Sequence, residues 1–233
     1  MKRLAVLGLL LLSGLAQART VAIFNGPGTC QGCPQTVAAL FRAAGDRVVY
    51  VDQHTLGAKT LGKVQVYVQP GGSDDIDETL DVLRPGQVAA LRRFVAQGGH
   101  YLGICAGAYL AAQYSDKAAG RRAFGLVDID ELHAETADPA PSLLAIRWGA
   151  TPRMVYNQSG PHLYRQPPAG ARVLARYSAT QRIAALSARF GRGQVLLIGP
   201  HLEADSSWYQ EDGLSQQYGL NQDLFRQLIR TLK

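Results

Sequence analysis

The residue best suited to nucleophilic chemistry is Cys105, in the stretch GGHYLGICAGAYLA, where an apolar run passes into small residues. The flanking Gly103 and Gly107 permit the sharp strand-to-helix turn that exposes a nucleophile at the end of a strand. A helix beginning at Ala106 would favour the thiolate through its amino-terminal N–H groups, and the N–H of Ala106 can act as an oxyanion donor. The alternative is a buried structural cysteine, because free cysteines are among the most buried residues.

A thiol nucleophile needs a base, and the base usually needs an orienting partner. His201 follows the apolar run QVLLIG, and Glu203 lies two residues further on. In an extended segment such residues project to the same side, so the carboxylate can accept a hydrogen bond from the imidazole and hold its tautomer. Alone, an H-x-E pair is equally well explained as a surface pair. Together with Cys105 it predicts a catalytic set of Cys105, His201 and Glu203.

Polar residues in neighbouring loops are the candidates for substrate contacts. They are Ser73 and Asp74 after the Pro-Gly-Gly turn, Tyr109 beside the nucleophile, and Asn157, Gln158 and His162 in the loop NQSGPH. An ordinary polar turn explains each of them equally well, because Asn, Asp, Ser and Gly favour turns for backbone reasons.

Two further cysteines, Cys30 and Cys33, form a C-x-x-C pair in GPGTCQGCP. In an oxidising compartment they can close a local disulfide and leave Cys105 as the unpaired thiol. Two separate thiols at a loop, or a redox site, are the alternatives. The sequence has no second C-x-x-C and no H-x-x-x-H, so we expect neither a metal nor another cofactor.

The first residues have the pattern of a secretory signal peptide. Lys2 and Arg3 precede an apolar run, and Ala16-Gln17-Ala18 then provides small residues at a cleavage site. We therefore expect residues 1–18 to be removed and the mature protein to be periplasmic or secreted, without stable membrane insertion. A retained anchor is the alternative, but the apolar run is short for a bilayer span.

The charge balance argues against nucleic acid as a partner. The chain has 24 Lys and Arg against 18 Asp and Glu, a net charge of +6, and removal of Lys2 and Arg3 leaves 22 minus 18, or +4. The arginines are scattered, with no dense basic run and no interleaved aromatic residues. The expected partner is a small-molecule or peptide amide substrate, and the sequence leaves the oligomeric state open.

Strand and helix patterns alternate along the mature chain. Strands are predicted at 20–25, 47–52, 63–69 and 100–105, and helices at 34–45, 84–99 and 221–232. The second half is richer in strand patterns, at 143–148, 153–157, 171–178, 182–190 and 194–199. This predicts a single α/β domain over 19–233: a flavodoxin-like, open, mostly parallel sheet with helices on both faces and antiparallel strands added in the second half.

Five stretches together resemble the class I glutamine amidotransferase-like superfamily and, within it, the biotin-protein ligase amino-terminal-domain-like family. They are FNGPGT (24–29), YVQPGGSDD (67–75), GGHYLGICAGAYLA (98–111), VYNQSGPHL (155–163) and GPHLEAD (199–205). The resemblance implies a Cys-His-Glu triad at Cys105, His201 and Glu203. It also implies an oxyanion-hole amide from Gly71 or Gly72, beside that of Ala106.

The chain departs from the family pattern in ways that bear on function. No biotin-ligase catalytic module and no synthase domain follows before Lys233, so neither biotin transfer nor ammonia supply is implied. The H-P-E order of amidotransferases reads His201-Leu202-Glu203 here, with both functional residues kept. We therefore predict an exported thiol hydrolase or amidase. Two alternatives are a non-catalytic module that binds a small molecule or a partner on the same fold, and a thiol-exchange protein that uses Cys30 and Cys33.

Overall fold

The computed structural model describes residues 18–73, 75–164, 166–167 and 169–232. The strands are β1 (Thr20–Phe24), β2 (Arg47–Val51), β3 (Val66–Gln69), β4 (His100–Ile104), β5 (Tyr114–Asp116), β6 (Arg121–Arg122), β7 (His133–Ala134), β8 (Ser142–Trp148), β9 (Thr151–Asn157), β10 (Pro161–His162), β11 (Arg172–Tyr177), β12 (Ile183–Phe190) and β13 (Gly193–Ile198). The helices are α1 (Cys33–Ala43), α2 (Ala58–Leu61), α3 (Asp77–Val82), α4 (Pro85–Ala96), α5 (Ala106–Leu110), α6 (Ser206–Glu211) and α7 (Gln222–Thr231).

One large sheet organises the described chain, in the order β2-β1-β3-β4-β13-β12-β11-β8-β9. The pairs from β2 to β13 are parallel, and those from β13 to β9 are antiparallel. Two short antiparallel pairs, β5 with β6 and β7 with β10, lie outside it. The predicted α/β class, with antiparallel strands added in the second half, is confirmed.

The central parallel strands β1, β3, β4 and β13 are buried on both faces, whereas the edge strand β2 is partly exposed. In β1, Ala22 and Phe24 join one apolar cluster, and Val21 and Ile23 join another. This division follows from the alternation of side chains along a strand. Helices α2 and α4 cover the first face, and α1 and α7 cover the second, where Phe41 and Phe225 meet edge to face with ring centroids 6.1 Å apart. The central strands are mostly apolar because neither of their faces meets water.

The predicted helices form close to their expected positions. Pro34 stands in the first turn of α1, where a missing N–H costs nothing, and Pro85 opens α4 in the same way. The pattern analysis did not predict the short helices α2, α3 and α6, or the strands of the two small pairs. Within the described residues, no helix is both long and apolar enough to cross a membrane. Residues 1–17, which carry most of the expected signal peptide, lie outside the described residues.

The antiparallel part of the sheet curls back toward the parallel part. In the sheet order, β12, β11 and β8 separate β9 from β13. Even so, Tyr156 near the end of β9 forms an isolated antiparallel bridge with His201, just beyond β13. The carbonyl of Tyr156 accepts a hydrogen bond from the N–H of His201 at 2.9 Å. This curl brings the end of β9 over the carboxyl edge of the parallel strands, where the candidate site lies.

Candidate active site

Cys105 occupies a strained turn between β4 and α5. Its backbone has φ 47° and ψ −106°, a conformation that residues other than glycine adopt rarely. Its N–H donates to the carbonyl of Ile198 at 2.9 Å, and its own carbonyl accepts from the N–H of Ala108 at 2.8 Å, which holds the turn from both sides. The turn carries the side chain to the carboxyl edge of the sheet, where the residue is 8% exposed and Sγ lies 3.5 Å from the carbonyl oxygen of Gln158.

The flanking glycines are required by close packing. A Cβ on Gly107 would collide with the carbonyl oxygen of Gln69 at the end of β3, and one on Gly103 would collide with the carbonyl of Gly107. The hydroxyl of Tyr101 donates to that same Gly107 carbonyl at 2.6 Å. The G-x-C-x-G spacing therefore lets α5 begin directly against the sheet.

His201 and Glu203 form the pair that their spacing predicts. His201 Nδ1 lies 2.8 Å from Glu203 Oε1, and Glu203 is fully buried. Because Nδ1 faces the carboxylate, Nε2 is the nitrogen left for Cys105. Burial by itself would lower the pKa of His201, but the charges of Glu203 and of a Cys105 thiolate, with hydrogen bonds to both, raise it to about 10. The raised pKa favours the protonated imidazolium form of His201 at neutral pH.

The Gly71-Gly72 turn lies between β3 and α3, beside both groups. Gly72 opposes Thr29 in an isolated antiparallel bridge, in which Cys30 N–H donates to the Gly71 carbonyl at 3.1 Å and Ser73 N–H donates to the Gly28 carbonyl at 3.3 Å. In this type of pair the N–H of the central residue points away from the opposing strand. The N–H of Gly72 is thus free to face the cavity, and so is that of Ala106, at the first position of a helix.

A cavity of about 260 Å³ joins these groups. The described residues that line it are Cys30, Gly72, Ser73, Ile76, Cys105, Ala106, Tyr109, Gln158, Ser159, His201 and Trp208. Trp208 on α6 packs on the His201 ring with centroids 5.3 Å apart, and Tyr156 meets both rings edge to face. Tyr109 donates its hydroxyl to the Ser159 carbonyl at 2.9 Å, which turns its ring toward the cavity.

Some of the candidate residues lie elsewhere. Asn157 is fully buried and does not line the cavity. His162 lines a different cavity, where it lies 3.5 Å from Glu135 and 3.4 Å from Arg182. Asp74 lies outside the described residues. The chain turns away after Ser159, whose φ is 51°, and this carries His162 to the other cavity.

The sequence did not predict Trp208, Ile76 or Ser159 as site residues, and it did not place Cys30 in this cavity. Only Trp208 had a usable signal: Asp205 accepts the Ser207 N–H at 2.9 Å as the amino-terminal cap of α6, and an Asp-Ser-Ser run is typical of such a cap. The structure also joins Cys30 and Cys33 as a disulfide, with their Cα atoms 5.5 Å apart.

Comparison with known proteins agrees with this fold. Residues 19–133, about half of the chain, match the family model described as biotin-protein ligase, N terminal. A comparison with curated protein sequences finds no match.

Among solved structures, PurLQS from Thermotoga maritima is 16% identical with a TM-score of 0.63 and covers 93% of this chain and 100% of its own. A glutamine amidotransferase is 18% identical with a TM-score of 0.58, covering 78% of this chain and 90% of its own. Gan42B, a GH42 β-galactosidase from G. stearothermophilus, is 16% identical with a TM-score of 0.55, covering 92% of this chain and 30% of its own.

Identities this low establish likeness of fold and not of reaction, and a β-galactosidase among these structures illustrates the point. The family match rests on the sequence itself and covers β1 to β4, the Gly71-Gly72 turn and Cys105. The chain therefore belongs to the biotin-protein ligase amino-terminal-domain-like family and has a class I glutamine amidotransferase-like fold.

Proposed function

We propose that this chain is an exported, cysteine-dependent hydrolase that cleaves an amide or a related carbonyl compound. Cys105 is the nucleophile, His201 the acid and base, and Glu203 the carboxylate that orients His201. The observation that carries the proposal is the strained φ of 47° at Cys105, in a cavity shared with a histidine whose Nδ1 lies 2.8 Å from a buried carboxylate. Strain of this kind at a cysteine beside a histidine is typical of an activated nucleophile.

The reaction follows from the positions of these groups. The Cys105 thiolate attacks the carbonyl carbon, and the N–H groups of Ala106 and Gly72 stabilise the developing oxyanion. A single donor of this kind contributes about 10²–10³ in rate. His201 gives its proton to the leaving amine, and the thioester forms as the C–N bond breaks. The neutral imidazole then takes a proton from water, whose oxygen attacks the thioester, and the acid leaves as the thiolate is restored.

Export and substrate remain part of the proposal. The charged start, apolar run and small-x-small site at Ala16-Gln17-Ala18 support cleavage after Ala18 and a periplasmic or secreted location. A cavity of about 260 Å³ suits a small amide or one residue of a peptide. Trp208 and Tyr109 line the cavity and would contact the part of the substrate next to the carbonyl.

A second candidate is a binding module that uses the same cavity without catalysis. It is favoured by the contact between Cys105 Sγ and the Gln158 carbonyl and by the 8% exposure of Cys105, because both restrict access to the sulfur. The third candidate, a thiol-exchange protein built on Cys30 and Cys33, gains less support, because Cys33 is fully buried.

The test combines alkylation with hydrolysis. Iodoacetamide should label Cys105 of the purified mature protein faster at neutral pH than it labels a free cysteine, because His201 can take the thiol proton. His201→Ala should slow this labelling toward the rate of a free cysteine. A panel of L-glutamine and N-acyl p-nitroanilides should reveal turnover that Cys105→Ala reduces by about 10³-fold or more.

His54→Ala is the matched control, because this exposed histidine lies outside the cavity and should leave both readouts unchanged. Slow labelling that His201→Ala does not alter would exclude the hydrolase and leave the binding module as the better description.

A further inference from the structure

The Cys30–Cys33 disulfide has no part in the proposed mechanism, although it lies beside the site. Cys30 lines the candidate active site, and Cys33 begins α1 and is fully buried. The bond therefore ties the segment that borders the cavity to a helix packed on the sheet. In the described structure, the disulfide-bonded Cys30 and the free cysteine Cys105 line the same cavity.

The segment before Cys33 holds the oxyanion turn in place. Thr29 opposes Gly72, and one backbone hydrogen bond flanks that pair on each side, at 3.1 and 3.3 Å. A Cβ on Gly72 would lie 2.7 Å from the Gly28 carbonyl oxygen and would collide with Ala106. The Gly72 peptide is thus confined between residues 28–29 and the start of α5, so its orientation depends on where this segment lies.

The disulfide also borders the other side of the turn. A Cβ on Gly71 would lie 3.4 Å from Cys33 Sγ and 2.7 Å from His201 Cε1, so the Gly71 backbone fills the space between the disulfide and the imidazole. At the far end of the segment, Thr79 Oγ1 donates to the Pro27 carbonyl at 3.0 Å. Without the disulfide, residues 28–32 would be held to the turn by the two hydrogen bonds of the bridge. The loop from Cys30 to Cys33 would then be closed only by the hydrogen bond from the Cys33 N–H to the Cys30 carbonyl, at 3.3 Å.

We infer that the Cys30–Cys33 disulfide is a positioning element of the oxyanion hole and makes the activity of this site depend on an oxidising environment. The inference rests on the proposed function. The bond does not touch the reacting atoms and acts through the Gly72 N–H. Reduction would release residues 28–32, and the Gly72 N–H would no longer point at the oxyanion. Stabilisation of the oxyanion would therefore weaken.

The test uses two reactions of Cys105 that differ in their need for the oxyanion hole. Hydrolysis of an amide passes through a tetrahedral oxyanion, whereas alkylation by iodoacetamide displaces iodide and forms none. Cys30→Ala/Cys33→Ala should lower kcat by about 10-fold or more, a part of the 10²–10³ that loss of one donor costs. KM and the rate of Cys105 alkylation should stay within about twofold of wild type, because neither depends on stabilisation of the oxyanion. A change of that size is well below the effect of losing one donor.

A second arm avoids the possibility that the variant fails to fold. Dithiothreitol transfers two electrons and two protons to the disulfide of the wild-type protein and closes to its own cyclic disulfide. The reduced protein should lose kcat by the same factor, and reoxidation should restore it. The double variant should not respond to either treatment.

Three results would overturn the inference. The first is an unchanged kcat after reduction. The second is an equal fall in kcat and in alkylation rate, which would indicate a merely structural bond. The third is a peptide map in which Cys30 is linked to Cys105 and not to Cys33.

If the wild-type protein hydrolyses no amide, the proposed function fails, and the inference is tested separately with propionaldehyde. This aldehyde adds reversibly to the Cys105 thiol and places its oxygen in the same hole, so it slows labelling by iodoacetamide. Tighter binding of propionaldehyde to the oxidised form than to the reduced form would support the inference. Equal affinity would overturn it.

Discussion

The two parts of the large sheet differ in burial and in what they contribute to the site. In the parallel part, β1, β3, β4 and β13 are buried along almost their whole length. In the antiparallel part, β8 and β11 alternate between buried, half-buried and exposed residues, and β9 is buried only at its end. Cys105, His201 and Glu203 all follow strands of the first part, whereas Tyr156 and Gln158 come from the second.

This difference indicates that the parallel part carries the reacting groups and that the antiparallel part covers them. Strands buried on both faces move little, so groups at their ends keep fixed distances. The antiparallel part supplies a wall and a lid: the Tyr156 ring packs on His201, and the Gln158 carbonyl lies over the Cys105 sulfur. Variants in the first part should therefore alter chemistry and stability, and variants in the second should have smaller effects.

Among the variants that test this difference between the two parts, Glu203→Gln should have the largest effect on activity. The variant removes the charge that contributes most to raising the pKa of His201, which is about 10 in the wild type, so the imidazolium should lose its proton at a lower pH. We expect kcat to fall by about 10²-fold at neutral pH, within the range of acid–base catalysis. The alkaline decline of kcat/KM should move toward lower pH.

The control for that measurement is Glu135→Gln. Glu135 is also buried, with a side chain 4% exposed, but it lies near His162 and outside the site. Its pH profile of kcat/KM should match wild type. The assigned role of Glu203 would be wrong if both variants shifted the profile equally.

A comparison of two leucines tests the difference in burial directly. Leu196 on β13 is fully buried, and Leu144 on β8 is only partly buried against the same cluster. Leu196→Ala should lower the free energy of unfolding by about 2–5 kcal/mol. Leu144→Ala should lower the free energy of unfolding by about 1 kcal/mol, because folding buries less apolar surface at that position. Urea denaturation measures both, and equal costs would contradict the proposed rigidity of the parallel part.

The smallest effect is expected from Tyr156→Phe in the antiparallel part. Its hydroxyl donates to Asp212 Oδ2 at 2.6 Å, and burial, together with Asp212, raises the pKa of Tyr156, so the donor keeps its proton. The variant loses one hydrogen bond from the buried Tyr156 to the exposed carboxylate of Asp212, about 1 kcal/mol of stability. The ring wall remains, so steady-state kinetics should show a kcat close to wild type. A loss as large as that of Glu203→Gln would place Tyr156 among the reacting groups.

Most of the fold could be predicted because its signals are local. Apolar runs such as 100–105 and 194–199, and helices with Pro near the start and Gly after the end, correspond to β4, β13, α1 and α4 within a few residues. The short helices were missed, since a segment such as Ala58–Leu61 is too short for a helical period to be recognised. The strand order could not be derived either, because β4 pairs with β13 across 88 intervening residues.

The sequence by itself determined the kinds of groups in the site and their local geometry. G-x-C-x-G specifies a turn that only small neighbours permit, and H-x-E specifies a pair on one side of an extended segment. Only the tertiary structure decided which distant residues meet there. The curl of the sheet brought Tyr156 to His201, α6 delivered Trp208, and the turn after Ser159 carried His162 away. The physical reason is that the backbone and nearest neighbours set local conformation, whereas packing of the whole chain sets contacts between distant segments.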